Sequence, residues 1–389
     1  MRRFSCACIG LLGVACHQGA GSGSAGESTT TTTTGGGETV TGGASTRTGT
    51  EGPTSSTSGM GSMDAGSSSG GSEGGETTTT TTTTTGAVGE SSGSSDGTGV
   101  VDGDEDADGA PDDADNCMGD VNPGQEDGDG DGIGDVCDED DDGDGIPDDD
   151  DVFPGDGDKP GSINSSRMYA HSSSTLWSVD VATYEPALIG DFEWPNGVDQ
   201  MTDLAIDRHG QLFGVSFGVM YVCHPVTAVC WALGGLPASY NGLTFVPAGT
   251  LLPDKDALIG ISEEGDWYHL TIAEQMVTAE KLGGYGGQYS SAGDAFSIEG
   301  VGTFAAVYKV GVNTTVIVSV DPLTGKVLAD LAVLPLSTVW GLAGWEGAIV
   351  AFDFTGDMAK VDPMTKEITL LGNKPSEWWG AAVSTVLPQ

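Results

Sequence analysis

Strand-like apolar segments begin near residue 166 and continue to the end of the chain, and they predict β-structure throughout this region. A four-strand unit recurs there: an apolar strand, a strand often followed by glycine, a strand ending near VDPxT, and a strand ending in LG or IG. The copies are VSVDPLTGKVLADL (318–331), AKVDPMTKEITLLG (359–372), WSVDVATYEPALIG (177–190) and YVCHPVTAVCWALG (221–234). Strand repeats of a fixed period are typical of propellers or solenoids.

Residues 162–389 therefore predict a mainly β domain, for which we favour a β-propeller with five blades. About 220 residues at roughly 40 to 45 per four-stranded blade give this number. Blade one lacks an inner strand before Met168, whereas WWGAAVSTVL (378–387) has the character of a lone inner strand. Pairing the two would close the ring and remove open sheet edges. A β-sandwich is the alternative, because short strands at regular spacing also suit that fold.

The first 15 residues have the layout of a bacterial signal peptide: two arginines, a short apolar run, and Ala15 before Cys16. The run is too short to span a bilayer. Its end, GVAC, resembles the cleavage box of bacterial lipoproteins, which implies that Cys16 becomes the lipidated first residue of the mature chain. Plain secretion with cleavage after Ala15 is the alternative. The expected location is extracellular or on the cell surface, as for a bacterial outer-membrane lipoprotein.

Residues 16–101 form the next region, which consists largely of Gly, Ser and Thr after the anchor cysteine. It contains almost no large apolar residue, so no core can form there. A flexible coil of this length has an average reach of roughly 50 Å. We expect a disordered low-complexity linker that tethers the folded region.

Residues 102–158 carry the pattern DxDxDGxxDxxD three times, at 104–115, 127–138 and 140–151. Aspartates at positions 1, 3 and 5 can point inward around a hard cation, glycine at position 6 permits the sharp turn, and position 12 closes the shell. Such oxygen ligands suit Ca²⁺ better than Mg²⁺, and zinc would need thiolate or imidazole ligands. The predicted metal ligands are Asp104, Asp106, Asp108, Asp112, Asp115, Asp127, Asp129, Asp131, Asp135, Asp138, Asp140, Asp142, Asp144, Asp148 and Asp151.

The flanks of these motifs show no helical period, which excludes an EF-hand. The string DNCMGDVNPGQEDGDGDGIGDVCD (115–138) resembles the thrombospondin type 3 repeat. This resemblance implies that calcium ions take the place of a hydrophobic core, and that a disulfide joins Cys117 to Cys137, which stand at the family's spacing. An acidic disordered spacer that binds ions only loosely is the alternative.

The net charge of −45, with only 13 Lys and Arg, rules out a basic surface that binds phosphate groups. Nucleic acid is therefore not an expected partner. Nearly half of the 58 acidic side chains lie between residues 101 and 160, so the acidity is local.

Four cysteines remain once the signal peptide and Cys16 are set aside, which suits an oxidising compartment. Cys223 and Cys230 flank HPVTAV and are predicted to form a disulfide across a hairpin turn; a free buried pair is the alternative.

The candidate ligand site is the inner mouth of the predicted propeller. Alignment of the inner strands TDLAI, NGLTF, GDAFS, WGLAG and WGAAV places Asp203 and Asp294 in one column, with Trp340 and Trp379 one residue earlier. Two carboxylates and two aromatic side chains could suit a sugar-cleaving site. Alternatively, the aspartates could cap turns and the tryptophans could fill gaps between blades. We therefore predict a binding head and assign no catalytic residue.

These features together predict an exported, monomeric, calcium-binding surface protein that acts in adhesion or extracellular recognition. Its partner would be an extracellular protein or glycan, and it would touch the membrane only through its lipid anchor. An extracellular glycosidase-like propeller enzyme and a passive surface spacer are the alternatives.

Overall fold

The computed structural model describes residues 103–273, 275–374 and 376–388. The predicted signal peptide (1–15), the lipidation site Cys16 and the linker (16–101) lie outside the described residues. The acidic segment and the strands that follow it belong to one compact unit. All regular elements in the described part of the chain are β-strands, which confirms the mainly β class.

Twenty strands follow the acidic segment, numbered in chain order. They are β1 (Arg167–His171), β2 (Thr175–Asp180), β3 (Pro186–Asp191), β4 (Asp203–Ile206), β5 (Leu212–Val215), β6 (Val219–Cys223), β7 (Cys230–Gly235), β8 (Gly242–Val246), β9 (Ala257–Ile261), β10 (Asp266–Ala273), β11 (Met276–Gly284), β12 (Tyr289–Ile298), β13 (Gly302–Lys309), β14 (Val316–Val320), β15 (Val327–Val333), β16 (Val339–Trp345), β17 (Ala348–Asp353), β18 (Asp357–Val361), β19 (Ile368–Asn373) and β20 (Gly380–Ala382).

The strands group into five units of four antiparallel strands. The first unit has the order β20-β1-β2-β3, and the others consist of β4 to β7, β8 to β11, β12 to β15 and β16 to β19. A single parallel pairing, Gly235 with Met276, joins the second and third units into one sheet. The last strand pairs with the first unit as predicted, with Tyr169 opposite Ala382. The innermost strands β20, β4, β8, β12 and β16 contact one another in cyclic order, so the units form a ring.

The recurring VDPxT signature forms the turn between the third and fourth strands of a unit. In the fifth unit, Asp362 Oδ1 accepts hydrogen bonds from the amides of Met364 (2.8 Å) and Thr365 (2.9 Å), an Asx turn. The residue after the threonine, Lys366, then has a left-handed backbone with φ of 62°. In the second unit, His224 Nδ1 takes the role of the aspartate and accepts from the amide of Val226 at 3.0 Å. The repeat seen in the sequence is therefore a repeat of turn chemistry.

The innermost strands approach so closely that glycine is required between them. A Cβ atom on Gly341 would press against the backbone of Gly380, and one on Gly380 would overlap Asp203 and His171. Strands β4, β8 and β20 are buried at every residue. Backbone and buried side chains therefore fill the centre of the ring.

The acidic segment contains turns and bends without strands or helices between residues 103 and 160. Its few buried side chains include Cys117 and Ile146, which are 4% and 3% exposed. The predicted disulfides Cys117–Cys137 and Cys223–Cys230 are both present. With so little apolar burial, the acidic segment depends on hydrogen bonds, the disulfide and its charged groups for its shape.

Candidate calcium sites and ligand pocket

The three acidic motifs each form a tight loop that gathers the carboxylates of positions 1, 3 and 5. In every copy, one oxygen from each of these residues lies within 4.8 Å of the others. The clusters are Asp104, Asp106 and Asp108; Asp127, Asp129 and Asp131; and Asp140, Asp142 and Asp144. Glycine at position 6 has φ between 91° and 105° in all copies, which permits the sharp turn expected from the sequence.

Backbone hydrogen bonds hold these carboxylates in place. The Oδ1 atom at position 3 accepts from the amide of position 5, and the Oδ1 atom at position 5 accepts from the amide of position 7. For the second of these bonds the distances are 2.7 Å in the first copy and 2.8 Å in the other two. One oxygen of each carboxylate is thus used in the turn. The other oxygen also accepts a backbone amide in Asp108, from Asn122, and in Asp142, from Asp156.

The predicted ligands at positions 9 and 12 have other contacts. Position 9 braces the loop: Asp112, Asp135 and Asp148 each accept from the amide seven residues earlier, at 2.8 to 3.0 Å. At position 12, Asp151 lies close enough to Asp142 and Asp144 to repel them electrostatically, and one of its oxygens is buried without a partner. Asp115, at position 12 of the first copy, likewise repels Asp106. The structure therefore brings position 12 of the first and third copies to their clusters and uses position 9 as a brace.

The electrostatics of the clusters match the demand of a hard cation. Burial, with repulsion from neighbouring carboxylates, raises the pKa of Asp106 and of Asp144, and raises the pKa of Asp151 to about 6. Carboxylate oxygens of Asp104, Asp106 and Asp140 are buried without a hydrogen-bond partner. Oxygen-only donor sets that carry surplus negative charge fit Ca²⁺, which accepts six to eight oxygens in flexible geometry. The residues present therefore fit calcium, and a bound ion would neutralise the clustered charge.

The third loop rests on the ring. Gln211 of β4–β5 donates from its side-chain amide to the backbone oxygen of Asp150 at 2.7 Å. His209 Nε2 lies 3.2 Å from Asp150 Oδ2, and Lys255 Nζ lies 3.5 Å from Asp150 Oδ1. Phe153 then packs edge-on against Trp231, with ring centroids 5.7 Å apart. A cavity of about 430 Å³ lies beside this junction, and its Arg208 and Lys255 are already paired with Asp256 and Asp150.

A second cavity, of about 340 Å³, lies where the innermost strands begin, and all five units contribute to it. Trp340 and Trp379, both predicted as ligand-binding candidates, are part of its wall, with ring centroids 5.8 Å apart and planes at 80°. The lining residues are Thr202, Phe217, Asn241, Glu263, Ser290, Ser291, Ala292, Tyr308, Trp340 and Trp379. We call this cavity the axial pocket.

Asp203 and Asp294, the other two candidates, do not line the axial pocket. Both are fully buried and accept backbone hydrogen bonds, from Leu243 at 2.6 Å and from Leu342 at 2.7 Å. Burial raises the pKa of each carboxyl well above its usual value. The structure therefore separates the two aspartates from the two tryptophans that the strand alignment had grouped with them.

Phe217, Tyr308 and Glu263 belong to the pocket although sequence reasoning did not select them. Phe217 and Tyr308 are 58% and 37% exposed, which is unusual for large aromatic side chains. Each comes from a different unit and follows no shared motif. Only the ring closure brings them together, so the sequence held no local signal for them.

Comparison with known proteins supports the assignment of the acidic segment. A family model described as thrombospondin type 3 repeat matches residues 126–158, which include the second and third loops. No curated protein matches the chain. None of the described residues forms a helix of sufficient length and apolarity to cross a bilayer. The repeat and the two disulfides indicate a calcium-binding, extracellular protein.

Proposed function

We propose that this chain is a lipid-anchored surface protein in which a calcium-binding segment supports a five-bladed β-propeller that binds an extracellular ligand. The cyclic contact of the five innermost strands, and the pairing of β20 with β1, support the propeller architecture. The GVAC sequence before the Gly/Ser/Thr-rich linker supports anchoring through Cys16.

The axial pocket is the observation that carries the binding function. It is formed by residues from every unit, so it exists only in the closed ring. Aromatic side chains at its wall provide large contact areas at low entropic cost, as in recognition hot spots. The buried Asp203 and Asp294 have a structural role in this proposal, because their oxygens bond to backbone amides.

The test is ligand capture by the full-length protein in the presence of calcium. Immobilised protein is screened against extracellular glycans and matrix proteins, with hydrolysis products monitored in parallel. We expect saturable capture that Trp379→Ala reduces about tenfold or more, as for an aromatic hot spot. Met364→Ala is the matched control, because Met364 is 89% exposed in a turn of the fifth unit. Equal capture by both variants would contradict binding at the axial pocket. Turnover that Asp203→Asn abolishes while the variant still captures ligand would favour the enzyme.

A further inference from the structure

The wall of the axial pocket is aromatic on several sides. Phe217 comes from the second unit, Tyr308 from the fourth, Trp340 from the fifth and Trp379 from the segment before β20. The two indole planes are nearly perpendicular, and Phe354 supports Trp340 with centroids 4.5 Å apart. Four aromatic side chains from four units therefore border one volume, and the face of an aromatic ring carries negative electrostatic potential.

Two hydroxyl groups of the pocket are engaged within the protein. Thr202 Oγ1 donates to the backbone oxygen of Val215 at 2.9 Å, and Ser291 Oγ donates to that of Gly293 at 2.8 Å. Asn241 Oδ1 is buried and has no hydrogen-bond partner. Glu263 also lines the pocket and is exposed. A ligand therefore meets at least one unpartnered acceptor and one acidic residue.

Positive charge is missing from the same place. The described residues that line the axial pocket include no Lys, Arg or His. Four lysines of the described chain lie over aromatic rings, but these rings belong to Phe153, Tyr268, Tyr289 and Tyr184, outside the pocket. The pocket's own aromatic faces are free of an internal cation.

We propose that the axial pocket binds an organic cation, an ammonium group with alkyl substituents. This inference rests on the proposed function of the pocket as the ligand site. A cation over aromatic faces is attracted by their quadrupoles, and the attraction grows when the site is desolvated. Glu263 and the net charge of −45 add long-range attraction and disfavour anions. The hydroxyl protons of Thr202 and Ser291 are already bonded, so these two groups offer no donor to a neutral sugar.

The experiment compares choline with its uncharged isostere 3,3-dimethylbutan-1-ol by calorimetry on the full-length, calcium-loaded protein. The two molecules differ in charge but have nearly the same shape. The ratio of their affinities therefore measures the contribution of the positive charge to binding. We expect choline to bind at least about tenfold more tightly, as for one desolvated cation–π contact. Trp379→Ala should weaken choline binding about tenfold, and Trp379→Phe should retain most of it. Glu263→Gln keeps the shape of an exposed side chain and should weaken binding about two- to fivefold.

Vesicles separate the two sources of such a group when the Cys16→Ser protein is used, because the proposed lipid anchor would insert into any vesicle. If phosphatidylcholine vesicles retain the protein, phosphatidylglycerol vesicles do not, and free choline competes, the ligand is a lipid headgroup. Choline binding without vesicle retention identifies a small free cation; both results support the inference. Equal affinity for the isostere, or absence of choline binding, would overturn it. In that event a neutral glycan whose capture still depends on Trp379 would leave the proposed function intact, whereas no pocket-dependent ligand would remove both.

Discussion

Asp203 and Asp294 join different units at the centre of the ring. Asp203 lies on β4 and accepts from the amide of Leu243 on β8, so it links the second and third units. Asp294 lies on β12 and accepts from Leu342 on β16 and from Ala381 on β20. A third buried group, His171, stands with Nε2 3.9 Å from Asp203, and burial lowers its pKa to about 4. Burial thus drives all three groups toward their uncharged forms, which limits the cost of placing them there.

Asp207 provides the clearest pH dependence at the residue scale. Its Oδ1 accepts from the amides of His209, Gly210 and Gln211, yet burial raises its pKa from 3.8 to about 7. The folded state therefore keeps a proton that the unfolded chain has lost. We predict that the contribution of Asp207 to the free energy of unfolding is fully present below pH 4. It should fall by up to about 1.4 kcal/mol per pH unit as pH rises toward 7.

Asp207→Asn isolates this effect, because the variant cannot titrate at that position. Urea unfolding at pH 4.5, 5.5, 6.5 and 7.5, at constant calcium, gives the difference in free energy between the two proteins. The free energy of unfolding of the wild type should fall relative to that of Asp207→Asn as pH rises. His171 has the opposite sign between about 4 and 6.5, because its pKa is lowered, but it is common to both proteins and cancels. Parallel profiles would mean that Asp207 keeps an ordinary pKa.

The sequence did not predict which side chains near the axial pocket point into it. Trp378 and Trp379 are adjacent, so only one can face the pocket; Trp378 is fully buried against Phe352 and Trp177. Strand alternation normally separates a buried face from an exposed one. Strands β4 and β20 are buried on both faces, so alternation could not reveal that Asp203 points into the ring. Local turn chemistry, in contrast, was readable, as Asp362 and its threonine show.

At the scale of elements, the third calcium loop is structurally continuous with the ring. Gln211 is fully buried and contacts the loop at the Asp150 oxygen and at the Val152 amide, and also contacts Asp207 at 3.0 Å. His209 lies near enough to Asp144 to affect its pKa. Order in this loop therefore favours the native position of the β4–β5 turn, which couples the two elements.

We predict that calcium stabilises the ring through this loop. Calcium at about ten- to hundredfold above its Kd adds about 1.4 to 2.7 kcal/mol for each site that is coupled to unfolding. Asp144→Asn should remove most of this increment, because it withdraws a charged ligand from the third loop but keeps the Oδ1 acceptor of the turn. All 8 tryptophans lie in the ring region of the sequence, so intrinsic fluorescence during urea unfolding reports on the ring.

Asp131→Asn is the matched control for this coupling. Asp131 occupies the same position in the second loop, where the clustered carboxylates are exposed. The variant should weaken calcium binding to its own loop and leave the stabilisation of the ring nearly unchanged. An equal loss in both variants would show that calcium acts on the segment as a whole, and no loss in Asp144→Asn would contradict the coupling.

The spacing of the aspartates made the calcium clusters predictable, because alternate residues around a glycine turn converge without help from the rest of the fold. The role of position 9 was not predictable, since Asp112 braces a loop only after the loop has closed. The contact of Phe153 with Trp231 could not be predicted from the sequence either, because it depends on the orientation of the segment against the second unit. The sequence thus predicted the clusters formed by neighbouring residues, but it did not predict the contacts between separate elements.

At the scale of the whole molecule, charge is distributed unevenly between the acidic segment and the ring. The segment from 103 to 160 has Lys159 as its one described base, and Asp156 pairs with it at 2.5 Å. The partners of the remaining acidic groups are neighbouring carboxylates, backbone amides, the side-chain amide of Gln125 and the docked face of the ring. Without cations the segment is therefore a source of repulsion within an otherwise well-packed protein.

Calcium removal should expand the full-length protein, and calcium should compact it again. Carboxylate oxygens in each cluster lie within 4.8 Å of one another, a distance at which each charged pair repels by roughly 0.9 kcal/mol even in water. Small-angle scattering in chelator and in 5 mM calcium chloride at matched ionic strength measures the radius of gyration. The linker contributes equally to both states, so the difference reports on the segment. Magnesium at the same concentration should compact the chain less, because it demands octahedral geometry and keeps its water. Identical scattering curves in chelator and calcium would mean that the disulfide and backbone hydrogen bonds alone hold the segment.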